Sequence, residues 1–225
     1  GGLVHDDDQG HAVATKAAYV LSQDGKTWHE VATMKYCRYG AVAGVLPNGH
    51  VIVAGGRDGI SGTYLAEVEI WDPDKNKWTW SAPMNRPRHM ACACLLPSGR
   101  FAVFGGINPI GDVYEENEAY NDGEAFIYSE LGSEACQWTS LPRMVDECED
   151  PAGRYGGSCV AIPGGALVVG GTSDSNYQPI RSMLFDEAED KWFRLPDKHY
   201  YDRDFDDDSD EDLRLLNLGE EQAAR

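Results

Sequence analysis

Three stretches of the chain share one pattern of apolar and polar positions. Arg38 to Gly56 reads RYGAVAGVLPNGHVIVAGG, Arg88 to Gly106 reads RHMACACLLPSGRFAVFGG, and Arg154 to Gly171 reads RYGGSCVAIPGGALVVGG. In each, an apolar run meets a turn at Pro-Asn-Gly, Pro-Ser-Gly or Pro-Gly-Gly, and a second apolar run ends in a diglycine. Short Ala-rich and β-branched runs around a glycine-containing turn predict a β-hairpin rather than helix. The runs are apolar at nearly every position instead of alternating, which predicts strands covered on both faces by neighbouring sheets. Small residues in the first run of each copy predict crowding where sheets converge on a central axis.

A second hairpin follows each diglycine: EIWDPDKNKW ending at Trp78, AFIYSELGSEACQW ending at Trp138 and SMLFDEAEDKW ending at Trp192. An earlier copy, AAYVLSQDGKTW, ends at Trp28, with Gly1-Gly2 where its diglycine belongs. At a constant offset after each tryptophan stands Met34, Met84, Met144 or Lys198. The phase is therefore kept while the loops change length, and a repeat of about fifty residues emerges. It divides the chain into an outer half-unit at 1–34, whole units at 35–84, 85–144 and 145–198, and a remainder at 199–225.

A diglycine closing one strand, an aromatic before Asp and a later Trp, and an arginine ahead of the diglycine together resemble the kelch repeat. A Trp-Asp pair occurs at Trp71 and Asp72, but without the Gly-His that WD40 repeats carry. The resemblance implies an all-β fold, a kelch-type β-propeller of four-stranded blades. Gly55, Gly56, Gly105, Gly106, Gly170 and Gly171 would then end strands beside neighbouring backbone, and Trp28, Trp78, Trp138 and Trp192 would pack between blades with their indole N–H groups reaching carbonyls. About three and a half blades cannot close a ring of four to eight. The expectation is the C-terminal part of a larger propeller.

In kelch substrate adaptors of ubiquitin ligases, the arginine opening the inner strand and residues just past the diglycine line a ligand-binding mouth. The matching positions are Arg38, Arg88 and Arg154, with Arg57, Asn108 and Ser173 nearby, and Tyr39, His89 and Tyr155 follow the arginines. Arginines there suit a carboxylate-bearing protein or peptide through bidentate hydrogen bonds. The other reading is that they cap strand ends. A module that binds a protein or peptide partner, as the substrate-recognition unit of a ubiquitin-ligase adaptor or as a scaffold, is the function expected. The alternative is a small-ligand or carbohydrate propeller enzyme of the galactose-oxidase or sugar-isomerase kind.

Charge and chemistry narrow this further. The chain has 225 residues and a formal net charge of -19, which disfavours nucleic acid and anionic membranes, because such partners need clustered Lys and Arg. The run DRDFDDDSDED from Asp202 to Asp212 self-repels and reads as a solvated, disordered tail. It does not fit an EF-hand: a loop starting at Asp204 would place Ser209 where glycine is needed and Leu215 where glutamate is needed. Ser209 in this acidic setting resembles a casein-type kinase site. No long apolar run suits a membrane span, and six cysteines suit a reducing compartment, the cytosol or nucleus, better than a disulfide framework. His5, His11, His29, His50, His89 and His199 are scattered, and the iron motif of nitrile-specifier kelch proteins is missing. No catalytic residue, metal or cofactor is expected. Cys92 and Cys94 read as small core residues.

Overall fold

The computed structural model describes residues 1–5, 12–109, 117–129, 136–144, 153–173 and 182–195, and every regular element there is a strand. The tail at 199–225, Cys148 and the EF-hand and kinase readings lie outside these residues.

In the first repeat, β1 (Gly2–His5) pairs with β2 (Ala12–Thr15) and β3 (Tyr19–Leu21) with β4 (Trp28–Glu30). The second begins with the short β5 (Arg38–Tyr39), which pairs with β8 (Arg57–Asp58). Its main sheet is β6 (Val42–Val45), β7 (Val51–Ala54), β9 (Val68–Asp72) and β10 (Lys77–Ser81), antiparallel in that order. The third repeat forms β11 (Cys92–Leu95), β12 (Phe101–Phe104), β15 (Gly123–Ile127) and β16 (Gln137–Leu141), with a side hairpin of β13 (Ile107–Pro109) and β14 (Asn117–Ala119). The fourth gives β17 (Ser158–Ile162), β18 (Gly165–Val169), β19 (Met183–Asp186) and β20 (Lys191–Arg194). The edge strands β6, β11 and β17 lie against one another, so the three sheets converge along that edge and splay apart at the other. This is the radial arrangement of propeller blades.

Alternation along β12 shows how the cores are divided. Phe101 and Val103 point into the layer shared with the preceding blade, beside Ile52, Val68 and Phe126. Ala102 and Phe104 point the other way, beside Cys92, Ala166 and Phe185. All four β12 residues are buried because a sheet covers each face. The last sheet differs: Val160, Val169 and Phe193 are 53%, 44% and 43% exposed, since no sheet among the described residues covers its far face.

The tryptophans tie each blade to the one before. Trp78 Nε1 donates to Ala32 O at 2.6 Å, Trp138 Nε1 to Ala82 O at 2.9 Å and Trp192 Nε1 to Pro142 O at 2.9 Å. Trp28 is 65% exposed. Beside it, inward of the β3–β4 hairpin, opens an apolar cleft of about 610 Å³ lined by Val4, Tyr19, Trp28, Val42 and Trp78. A complete blade carries its two inner strands at that place.

Candidate functional site

The loops at one end of the blades are pinned by short pairings at the same point of each repeat. Tyr39 pairs with Arg57 across β5 and β8, His89 bridges Ile107, and Tyr155 bridges Thr172. Tyr39, His89 and Tyr155 therefore occupy equivalent places in consecutive blades, just before the inner strand.

Tyr39 and His89 meet edge to face with centroids 5.2 Å apart, and Tyr64 packs on the same imidazole at 5.4 Å. The Arg57 guanidinium lies 5.5 Å from the Tyr64 ring centroid. Its Nη1 donates to Tyr39 Oη at 3.1 Å and its Nε to Gly62 O at 2.9 Å. Tyr39, Arg57 and Tyr64 are half-buried, so the cluster presents aromatic edges and a fixed cation to solvent. Beneath it, Asp58 accepts from the Ile60 and Ser61 amides and from the Ser61 hydroxyl at 2.6 Å, which shapes the loop and leaves Ile60 84% exposed. Burial by itself would raise the Asp58 carboxyl. The Ser61 hydroxyl, the two amides and the Arg38 charge outweigh it and hold Asp58 below the usual carboxylate range. Burial, helped by the nearby Arg57 charge, pushes His89 below its ordinary value despite contact with the Tyr39 carbonyl.

The three arginines ahead of the diglycines lie one layer deeper. Arg38 Nη1 donates to Gly55 O and Glu67 O, both at 2.9 Å, and Nη2 to Glu69 Oε1 at 2.8 Å. Arg88 Nη1 donates to Gly105 O at 2.7 Å, Nη2 to Asp122 Oδ1 at 2.7 Å and Nε to Glu124 Oε1 at 3.0 Å. Both side chains are 1% exposed. The glutamates also hold the chain entering each blade: Glu69 Oε2 accepts from the Lys35 amide and Glu124 Oε2 from the Asn85 amide. Arg38 and Arg88 thus cap their own strands, and an incoming carboxylate would have to displace a buried glutamate.

The repeat geometry can be set against known proteins. The solved structure of YjhT is similar over 80% of this chain, with a TM-score of 0.60 and 16% identity, and residues 37–85 match the family model of the Kelch motif. The fold is a β-propeller, and one of its repeats matches the Kelch motif. The chain spans about half of the YjhT chain, at 51%. Compared with curated proteins, the sequence matches none.

Of the kelch positions singled out in the sequence, Tyr39, Arg57 and His89 come together at the mouth. Tyr155 holds the equivalent place one blade on, Asn108 sits on the β13–β14 hairpin opposite Glu118, and Ser173 is buried. Arg38, Arg88 and Arg154 are in the layer below. Tyr64 was not legible, because it lies outside the repeated segments. The signal that could have found it is the aromatic that ends the loop RDGISGTY after a diglycine. Among the described residues, no group of three or more His, Cys, Asp or Glu could hold a metal ion, and no helix is long and apolar enough to cross a membrane.

Proposed function

We propose that this chain is a protein-interaction module that holds a protein or peptide at the mouth formed by Tyr39, Arg57, Tyr64 and His89. The observation that carries the reading is the half-buried Arg57, whose guanidinium is held by Tyr39 and Gly62 and lies over Tyr64 at the end of a packed blade. Tyrosine and arginine are the residue types that anchor interfaces, and side chains already immobilised lose little entropy on binding. Ile60 beside them adds an exposed apolar contact. The arginines beneath act as scaffold that fixes the mouth.

The test places a photo-crosslinking amino acid at Ile60 and irradiates cells expressing the chain. A protein adduct that disappears with Tyr64→Ala or Arg57→Ala, at unchanged melting temperature, supports the reading. No adduct, or one indifferent to both substitutions, sinks it. A sugar or other small ligand that raises the melting temperature and depends on the same residues would favour the enzyme class instead.

A further inference from the structure

A cleft of about 430 Å³ lies between the blades of the second and third repeats, a size at which small-molecule sites occur. Lys77, Thr79 and Ser81 alternate along β10 and so share the face that forms one wall. Ile70, opposite Thr79 on β9, adds apolar surface, and Tyr128 and Cys136 of the next blade form the other wall. His50 lines one end, its ring edge to face with Tyr128 at 6.0 Å. Since His50 precedes β7 and Arg57 follows it, that end points away from the mouth.

The same seam one blade on is built differently. Register puts Gln137 at the place of Lys77, Thr139 at that of Thr79 and Leu141 at that of Ser81. Leu141 is buried in the core there, and Arg100, at the place of His50, is bonded to Glu187 of the last blade at 2.8 Å. With serine in place of leucine, the far end of the cleft from His50 carries a hydroxyl that is buried and has no hydrogen-bond partner among the described residues. Such a group is costly to leave unpaired, and a hydrogen bond from a bound molecule relieves it.

The charges at the His50 end favour an anion. Lys75 pairs with Asp72 Oδ2 at 2.7 Å, and Asp72 Oδ1 accepts the Asp74 and Lys75 amides, both at 3.0 Å, so that carboxylate is already engaged. Lys77 pairs with no carboxylate among the described residues. In a chain of net charge -19, this cleft thus sets two lysines and a histidine against one aspartate. Four residues of strand put Lys77 and Ser81 about 13 Å apart. A ring with a carboxylate at one end and a hydroxyl at the other spans that distance with a hydrogen bond to each.

We propose that this cleft binds a small hydroxylated aromatic carboxylate. Its ring lies along Ile70, Tyr128 and Cys136, its carboxylate accepts from the Lys77 ammonium, and its hydroxyl pairs with Ser81 Oγ. The site is separate from the mouth and does not depend on what the mouth binds.

The experiment titrates 4-hydroxybenzoate into the full chain labelled at isoleucine methyl groups and follows the Ile70 signal by NMR. The expected result is a saturable shift at Ile70 and none at Ile60, which is at the mouth. Benzoate, without the hydroxyl, should bind about fivefold more weakly, and 4-hydroxybenzamide, without the charge, about tenfold more weakly. Lys77→Gln, which installs the residue of the next blade, should weaken 4-hydroxybenzoate about tenfold and leave 4-hydroxybenzamide unchanged. Ser81→Ala should weaken 4-hydroxybenzoate about fivefold and leave benzoate unchanged. Arg57→Ala should alter neither. Lys77 is exposed and Ser81→Ala removes an unpaired hydroxyl, so both variants should melt with the wild type. No saturable shift at Ile70, a shift indifferent to Lys77→Gln and Ser81→Ala, or equal binding of the acid and the amide would overturn the proposal.

Discussion

Met183 stands opposite Val168 at the register where the two preceding blades carry a glutamate. The same buried arginine therefore lives in two environments. Arg88 is paired with Glu124, 2% exposed, and with Asp122, whereas no carboxylate among the described residues pairs with Arg154. Removing one partner of a buried pair strands the other charge, so Arg88→Met should cost about 3–5 kcal/mol. Arg154→Met strands nothing and puts an apolar side chain in an apolar place, so it should stay within about 1 kcal/mol of wild type or stabilise. Urea unfolding of both variants measures this; equal losses would show that the guanidinium's carbonyl bonds, not the ion pair, carry the energy.

His89 makes stability pH-dependent in a defined direction. Its folded-state value is below the ordinary 6.5 because burial disfavours the imidazolium. Above that value both folded and unfolded chains hold it neutral. As pH falls through 6.5, the unfolded chain takes up a proton that the folded chain refuses, and stability drops until the folded value is passed. Between pH 7.5 and 5.5, wild type should lose more melting temperature than His89→Phe, which keeps the packing against Tyr39 and Tyr64. Parallel loss in the two proteins would place the titration elsewhere.

The indole bonds between blades can be weighed the same way. Trp138→Phe removes the donor to Ala82 O and keeps a ring against Phe126, so it should cost about 1 kcal/mol for the hydrogen bond plus the smaller ring's lost burial. Trp28→Phe, at a residue 65% exposed, should change stability by less than about 0.5 kcal/mol. Guanidinium unfolding of the two variants compares them, and a large loss at Trp28 would mean that its face is covered in solution.

What the sequence disclosed follows from what repeats. The hairpins, the diglycine strand ends and the carbonyl bonds of Trp78, Trp138 and Trp192 recur in register, so the repeat located them, as it did the buried, two-faced β12, whereas Trp28, expected to pack between blades like the others, is exposed. The arginines were legible as positions, but their role turned on a partner one strand over. Nothing in RYGAVAG or RHMACAC says that Glu69 or Glu124 will arrive there, or that Met183 will not. The mouth cluster was legible only in part for the opposite reason. Tyr64 sits in a loop that does not repeat, and only folding brings its ring to His89.

Gly105 and Gly170 end equivalent strands with nearly the same backbone, at φ +66° and +64°. Their surroundings differ. A Cβ on Gly105 would stand 2.3 Å from the carbonyl oxygen of Arg154, which opens the next blade, whereas a Cβ on Gly170 would meet nothing within 4 Å. The left-handed strain of a non-glycine residue, about 1–2 kcal/mol, is common to both sites. Only Gly105→Ala adds a backbone clash that requires the two blades to separate, so it should cost at least about 3 kcal/mol, against about 1 kcal/mol for Gly170→Ala. Thermal unfolding of the two variants reads the difference directly. If Gly170→Ala costs as much as Gly105→Ala, the Gly170 site is occupied in solution by backbone that does for it what Arg154 does for Gly105. A cheap Gly170→Ala means that the last blade presents an open face.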